Sequence, residues 1–216
     1  MSPIRTLFPT SILHAEAALA SQLDALEEAC WMIEEGDAAG HDWCEAEGYP
    51  GYTSYASLND LPARHPAFAD LQASLNQAAQ DFATALHWDL GTARLHCDSL
   101  WVNILGEGGG HSGHLHPNSV ISGTAYVTMP EGAGRLKLED PRLPMMMAAP
   151  PLKPDAPVKR FEYIQPKQGD IIMWESWLRH EVMPSQSEDA RISISFNYSL
   201  IDSSTSYTHD PDINAD

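Results

Sequence analysis

Basic residues are scarce. Only 12 of the 216 residues are lysine or arginine, against 30 aspartates and glutamates, so the formal net charge is -18. Such a surface repels phosphate backbones, which argues against nucleic acid as a partner. Cysteine is also rare. Cys30, Cys44 and Cys97 are an odd number with no C-x-x-C spacing, which fits reduced thiols in a cytoplasm better than a disulfide framework. No stretch approaches the roughly 20 apolar residues of a membrane helix. The opening Leu7-Phe8-Pro9 is too short for an export signal, and Pro9, His14 and Glu16 interrupt it. There is no Gly-x-Ser-x-Gly elbow and no nucleophilic cysteine motif, so covalent hydrolysis has no support. The run Gly106-Glu-Gly-Gly-Gly110 is followed by neither a lysine nor a helix start, and reads as a flexible turn rather than a phosphate cradle. No internal repeat is present.

What remains is a chain with 43% hydrophobic residues, enough for one good core. We expect a single domain over 1–216, with a mainly helical part at 1–92, a β core at 93–202 and an acidic tail at 203–216. Residues 4–12 read as an extended entry. Leu19, Leu23, Leu26, Cys30 and Ile33 recur at helical spacing within a helix from about Leu13 to Glu35, and Gly36 is a stop. Residues 36–62 show no steady period and read as a loop. A second helix starts at Pro66 and runs to about His87, with Phe68, Leu71, Leu75, Phe82 and Leu86 as its apolar stripe. Beyond Ala93 the pattern shortens to strands at Leu95–Leu105, Val120–Met129, Arg135–Glu139, Val158–Ile164, Asp170–Trp174 and Ile192–Ile201. The class is α+β and mainly β, with helices supporting an antiparallel sandwich or barrel. Residues 141–156 are proline-rich and hold Met145-Met-Met147, which suggests a connection or an apolar flap near a pocket.

Three histidines crowd into His111-Ser-Gly-His114-Leu-His116, just ahead of a strand. Residues two apart on an extended segment point to one side, so His114 and His116 can aim at one point. His111 is an alternative for one of that pair. His180 lies far downstream, and a remote third imidazole closes one face of a metal site while leaving the other open. By residue type alone iron, zinc, manganese, nickel and copper all suit three histidines. Arg191 opens an alternating strand in which it shares a face with Ser193 and Ser195, opposite Ile192, Ile194 and Phe196. A guanidinium pointing inward needs an anionic partner, and its fork matches a carboxylate, with Ser193 as a further donor. Tyr126 and Asn103 are further pocket candidates. Glu181 beside His180 should point away.

The order His114-Leu-His116-Pro-x-Ser119-x-x-Ser122-Gly123-x-x-Tyr126, then Gly169-Asp170-x-x-x-Trp174-x-Ser176-Trp177-Leu178-x-His180, then Arg191-Ile-Ser193-Ile-Ser195-Phe196-Asn197 resembles the bacterial 2-oxoglutarate- and Fe(II)-dependent oxygenases. The branch it is similar to reads His-x-His-Pro before Ser-Gly-x-x-Tyr. The resemblance implies a double-stranded β-helix, a cupin-like jelly roll, with N-terminal helices packed on one sheet. It implies that His114, His116 and His180 hold Fe(II), and that Arg191, with Ser193 and Tyr126, binds the distal carboxylate of 2-oxoglutarate. It implies hydroxylation of a small-molecule or peptide substrate with O2, while 2-oxoglutarate is oxidatively decarboxylated. Where most relatives carry a carboxylate this chain has His116, and a neutral ligand leaves the metal one unit more positive. The rival reading is a cupin-like three-histidine metalloprotein that uses no 2-oxoglutarate: a dioxygenase, an isomerase or a small-molecule binder without turnover. A homodimer is the default expectation for its assembly.

Overall fold

The structure, a computed structural model, describes residues 3–142, 147–157 and 159–202. Among the described residues, ten strands form two antiparallel sheets. In chain order they are β1 (Ile12–Ala15), β2 (Tyr52–Thr53), β3 (Ala93–Leu105), β4 (His111–His114), β5 (Ile121–Thr128), β6 (Leu136–Glu139), β7 (Phe161–Ile164), β8 (Ile171–Glu175), β9 (His180–Val182) and β10 (Arg191–Asp202). The larger sheet has the order β1-β8-β5-β10-β3-β2 and the smaller one β4-β9-β6-β7. The helices are α1 (Leu23–Gly36), α2 (Ala38–Glu47) and α3 (Pro66–Ala85).

Alternation along the central strands gives the large sheet two faces. Val102, Ile104, Ile121, Ala125, Ile192, Ile194 and Phe196 join Leu26, Ile33, Phe68, Leu71 and Leu75 of α1 and α3 in the main core. Residues of the opposite face point toward the small sheet. There Tyr126, Ile172 and Trp174 pack with Leu136, Leu138 and Leu178 in a second cluster. Gly123 of β5 has to be small, because a Cβ there would overlap the Phe196 ring and the Ile172 carbonyl. This is a mainly β jelly roll with supporting helices, as expected.

Several elements depart from the sequence reading. The helix expected from Leu13 begins at Leu23, and Ile12–Ala15 instead pairs with β8 at the sheet edge. The segment read as a loop over 36–62 contains α2 and β2. Asp37 caps α2 by accepting from the Gly40 N–H at 2.9 Å, and Gly48 ends it in the left-handed region at φ 63°. Strands β4 and β9 were not expected; of the strand expected at Val158–Ile164, Phe161–Ile164 is a strand, 159–160 are not, and Val158 lies outside the described residues. Residues 147–156 contain no helix or strand; Met145 and the 203–216 tail lie outside the described residues.

Asp170 fastens the N-terminal strand to the core. Its carboxylate is buried and accepts from His14 Nε2 at 2.8 Å, Lys167 N at 2.9 Å and Ala17 N at 3.0 Å. Burial alone would raise its pKa, but the bonds from His14 and the two amides hold it below the usual carboxylate range. A depressed native pKa gives stability that is present above the unfolded value and lost as pH falls through the native one. Asp170→Asn should therefore cost about 2 kcal/mol at neutral pH. It should also flatten the fall in stability below about pH 4. Denaturant titration across pH 2–7 (roughly the carboxylate window) checks both. An unchanged acid limb would remove Asp170 from the account.

Candidate metal centre and anion seat

The last residue of β4 and the first of β9 face each other, because His114 and His180 are register partners. Their imidazole centroids are 4.3 Å apart. Each ring is fixed through Nδ1, which donates to a nearby carbonyl: Ser112 O at 2.8 Å for His114 and Leu178 O at 2.9 Å for His180. With the proton on Nδ1, each Nε2 lone pair is free to act as a ligand. His116 lies just past the end of β4. Its loop is held by its own N–H donating to Ser176 O at 3.1 Å and by Ser119 N–H donating to its carbonyl at 3.2 Å. Its ring is nearly parallel to that of His180, at 11°, with the two Nε2 atoms 3.4 Å apart. One ligand atom from each of His114, His116 and His180 lies within 4.8 Å of the others.

Burial lowers the pKa of all four histidines here, to about 3 for His180 and about 4 for His116 and His111, where neighbouring imidazoles add to the effect; for His114 the Arg179 charge adds to it. The rings are thus neutral at physiological pH, the form that binds metal. His111 and His114 pair with Val182 and His180, so β4 carries one extra residue between them. That bulge turns His111 to the side of His114 despite their odd spacing, with ring centroids 4.3 Å apart. His111 is outside the three-histidine group and points to Tyr49, whose hydroxyl is 3.5 Å from Nδ1.

Arg191, first in β10, is 2% exposed and points into the same cavity. Its Nη1 donates to Ser193 Oγ at 2.9 Å, and its guanidinium carbon lies 5.4 Å from the centre of the Tyr126 ring. Its Nε has no hydrogen-bond partner, and neither has the Tyr126 hydroxyl. Burial pushes the Tyr126 pKa up to about 12, with the Arg191 charge pulling the other way. Among the described residues no carboxylate is in ion-pair reach of Arg191. A buried guanidinium with an orphaned N–H, beside an orphaned hydroxyl, fits an acidic ligand. The donor set also fits a divalent cation, since the Nδ1 bonds of His114 and His180 leave their Nε2 lone pairs facing the gap that His116 Nε2 borders.

The structure brings Arg191, Ser193 and Asn103 to the cavity with the three histidines. Asn103 is committed to protein partners, accepting from Thr53 Oγ1 at 2.9 Å and donating to Ser195 Oγ at 3.1 Å. It therefore shapes the wall. Glu181 turns away to Lys137, as expected from alternation. Sequence reasoning missed Tyr49, Trp101 and Trp174 as lining residues. Trp101 shares the inward face of β3 with Asn103, so alternation held that signal; Tyr49, in irregular chain, had none.

A jelly roll that holds three histidines beside a buried arginine without a carboxylate partner has a donor set that fits a metal ion and an acidic ligand. Residues 99–197, from β3 to β10, match the family described as "Putative 2OG-Fe(II) oxygenase". That stretch spans most of the jelly-roll core, and Fe(II) and 2-oxoglutarate are the metal and cosubstrate that the matched family's description names. No curated protein matches the chain by sequence. Among solved structures, a Pseudomonas putida prolyl-4-hydroxylase is similar at 16% identity and TM-score 0.56, over 88% of this chain and 92% of that one. The Streptomyces hygroscopicus protein HygX, with nickel and 2-oxoglutarate bound, is similar at 14% identity and TM-score 0.57, over 88% and 83%. The epimerase SnoN of nogalamycin biosynthesis is similar at 12% identity and TM-score 0.60, over 88% and 78%. No described helix is long and apolar enough to cross a membrane.

Proposed function

We propose that the chain is a dioxygenase that hydroxylates a small-molecule or peptide substrate with His114, His116 and His180 as its iron ligands. The observation that carries this reading is Arg191, buried and without a carboxylate partner in the cavity that the three imidazoles line. In this reading Arg191 forks onto the distal carboxylate of 2-oxoglutarate, and Ser193 and Tyr126 bind the same group. Fe(II), with 2-oxoglutarate and O2, supplies the oxidising power, and the cosubstrate ends as succinate and CO2. The protein's own part is placement. The Nδ1 bonds of His114 and His180 aim their Nε2 atoms, and Trp101 and Trp174 exclude water from the cavity wall. HygX supports the pairing of a divalent metal with 2-oxoglutarate on this fold.

The finer assignment is to the bacterial branch that reads His-x-His-Pro, as one domain over 1–216, cytoplasmic and homodimeric, with no nucleic-acid or membrane partner. The motif itself, the acidic surface and the reduced-thiol composition support it. A three-histidine protein that uses no 2-oxoglutarate is favoured by one feature, the lack of a carboxylate among the grouped ligands, but it leaves Arg191 without a role.

Anaerobic addition of Fe(II) and then 2-oxoglutarate should produce a weak visible charge-transfer band that needs both components. Tight zinc or manganese binding with no response to 2-oxoglutarate would establish the rival reading instead.

A further inference from the structure

A second space lies beyond the imidazoles. It is a groove of about 580 Å3, bounded by the α3–β3 connection, the loop after β4 and the β8–β9 turn. His116 lines both this groove and the inner cavity, so it is their common wall. Three large apolar side chains stand exposed around the groove: Leu115 at 44%, Trp177 at 46% and Leu200 at 42%. Trp88 adds a second indole. The charged lining consists of Asp89 and Glu175, with no lysine or arginine; His87 and His116 are the other titratable groups. Among the described residues neither carboxylate forms an ion pair, and Asp89 Oδ1 accepts only the Gly91 N–H, at 3.1 Å.

The α3–β3 connection is held in an uncommon shape. His87 takes φ 57°, a left-handed conformation in which glycine is usual. The turn is tied by His87 N–H to Thr84 O at 3.0 Å and Trp88 N–H to Ala83 O at 3.1 Å. Trp88 and Asp89 are thereby delivered to the groove directly after the helix.

We propose that this groove seats the non-reacting part of the primary substrate, and that this substrate is an amine, an ammonium group carried on an apolar or aromatic body. The inference deepens the oxygenase reading and rests on it. Two unpaired carboxylates supply the complement for the cation, and two indoles supply both apolar area and ring faces that attract positive charge. A carboxylate or phosphate ester placed in the same groove meets Asp89 and Glu175 with no cation to offset them. A molecule seated there lies one imidazole away from the reacting centre, a spacing that suits recognition of one end and chemistry at the other.

The test is calorimetric titration with three isosteric probes: 2-phenylethylammonium, 2-phenylethanol and phenylacetate. It is run on the protein loaded anaerobically with Fe(II) and 2-oxoglutarate, and again on the metal-free protein. The ammonium probe is expected to bind at least about tenfold more tightly than either counterpart. Asp89→Asn with Glu175→Gln should remove that preference while leaving the charge-transfer band unchanged. Trp177→Ala should weaken the amine and the alcohol alike. The proposal is overturned if the amine does not bind, if the alcohol or acid binds as well, or if the double variant keeps the amine preference. Failure of the oxygenase reading shows separately, as absence of the 2-oxoglutarate band in the wild type whatever the amine does.

Discussion

Replacing Arg191 by methionine is expected to abolish 2-oxoglutarate binding and, in the same variant, to make the free protein more stable. The two effects have one cause. The guanidinium is 2% exposed, and among the described residues it donates to the neutral hydroxyl of Ser193 and meets no carboxylate. A buried charge without a counter-ion costs free energy until an anion arrives, and apolar replacement of buried charge is often stabilising by about 1–4 kcal/mol. Methionine removes the cost and keeps most of the volume. It also removes the fork that would meet the carboxylate, a loss on the order of 2–5 kcal/mol for a buried charge pair and so at least about 30-fold in affinity. Calorimetry with 2-oxoglutarate and a denaturant curve on the same sample measure both. Ser193→Ala, which removes one neutral contact, should cost only about 1 kcal/mol of binding. If Arg191→Met lowered stability and kept 2-oxoglutarate affinity, the arginine would be a structural residue and the anion seat would be lost.

The face of Arg191 was legible in the sequence because a strand has a period of two, whereas its burial depends on the small sheet that covers that face. Ile192, Ile194 and Phe196 are all in the main core, so Arg191 and Ser193 had to face the other way. His114 and His116 were legible for the same reason. His111 was not. Its place beside His114 depends on one extra residue in β4 relative to β9, and a bulge is a property of the pair of strands. The N-terminal region was misread where local signals overlapped. The helical stripe that starts at Leu19 and Leu23 was extended back to Leu13, yet Ile12–Ala15 is drawn into the sheet by its register with Ile171–Trp174. Four residues are too few for alternation to stand out from a helical stripe. Helix α2 lacks an apolar period, but its caps were present in the chain, Asp37 three residues ahead of Gly40 and Gly48 just past the end. Tyr49 reaches His111 only because the segment behind it threads closely along β3, where Gly51, at φ 143°, leaves no room for a side chain beside the Ile104 carbonyl. Nothing local to Tyr49 announces that.

His180→Ala should remove tight metal binding, whereas His111→Ala should leave it nearly intact. His180 is the shared member of the cluster, paired in register with His114 and with its Nε2 3.4 Å from that of His116. Its ring is aimed by the Leu178 carbonyl and backed by Trp174, whose ring centroid lies 4.6 Å away. Without it the remaining two imidazoles no longer close one face of a coordination sphere. Loss of an aiming partner alone costs about 10–100-fold in metal affinity, so loss of the ligand should cost at least about 100-fold. The readout need not be activity. Metal that binds only the native state stabilises it by about 2.7 kcal/mol at a hundredfold excess over Kd. Wild type and His111→Ala should therefore both gain stability on anaerobic Fe(II) addition, and His180→Ala should gain none. The metal-free His180→Ala protein should still fold, because the site is crowded with neutral rings that make no ion pair across the core. Should His111→Ala lose the metal-induced gain while His116→Ala keeps it, His111 would replace His116 in the ligand set, and the bulge in β4 would be the element that put it there.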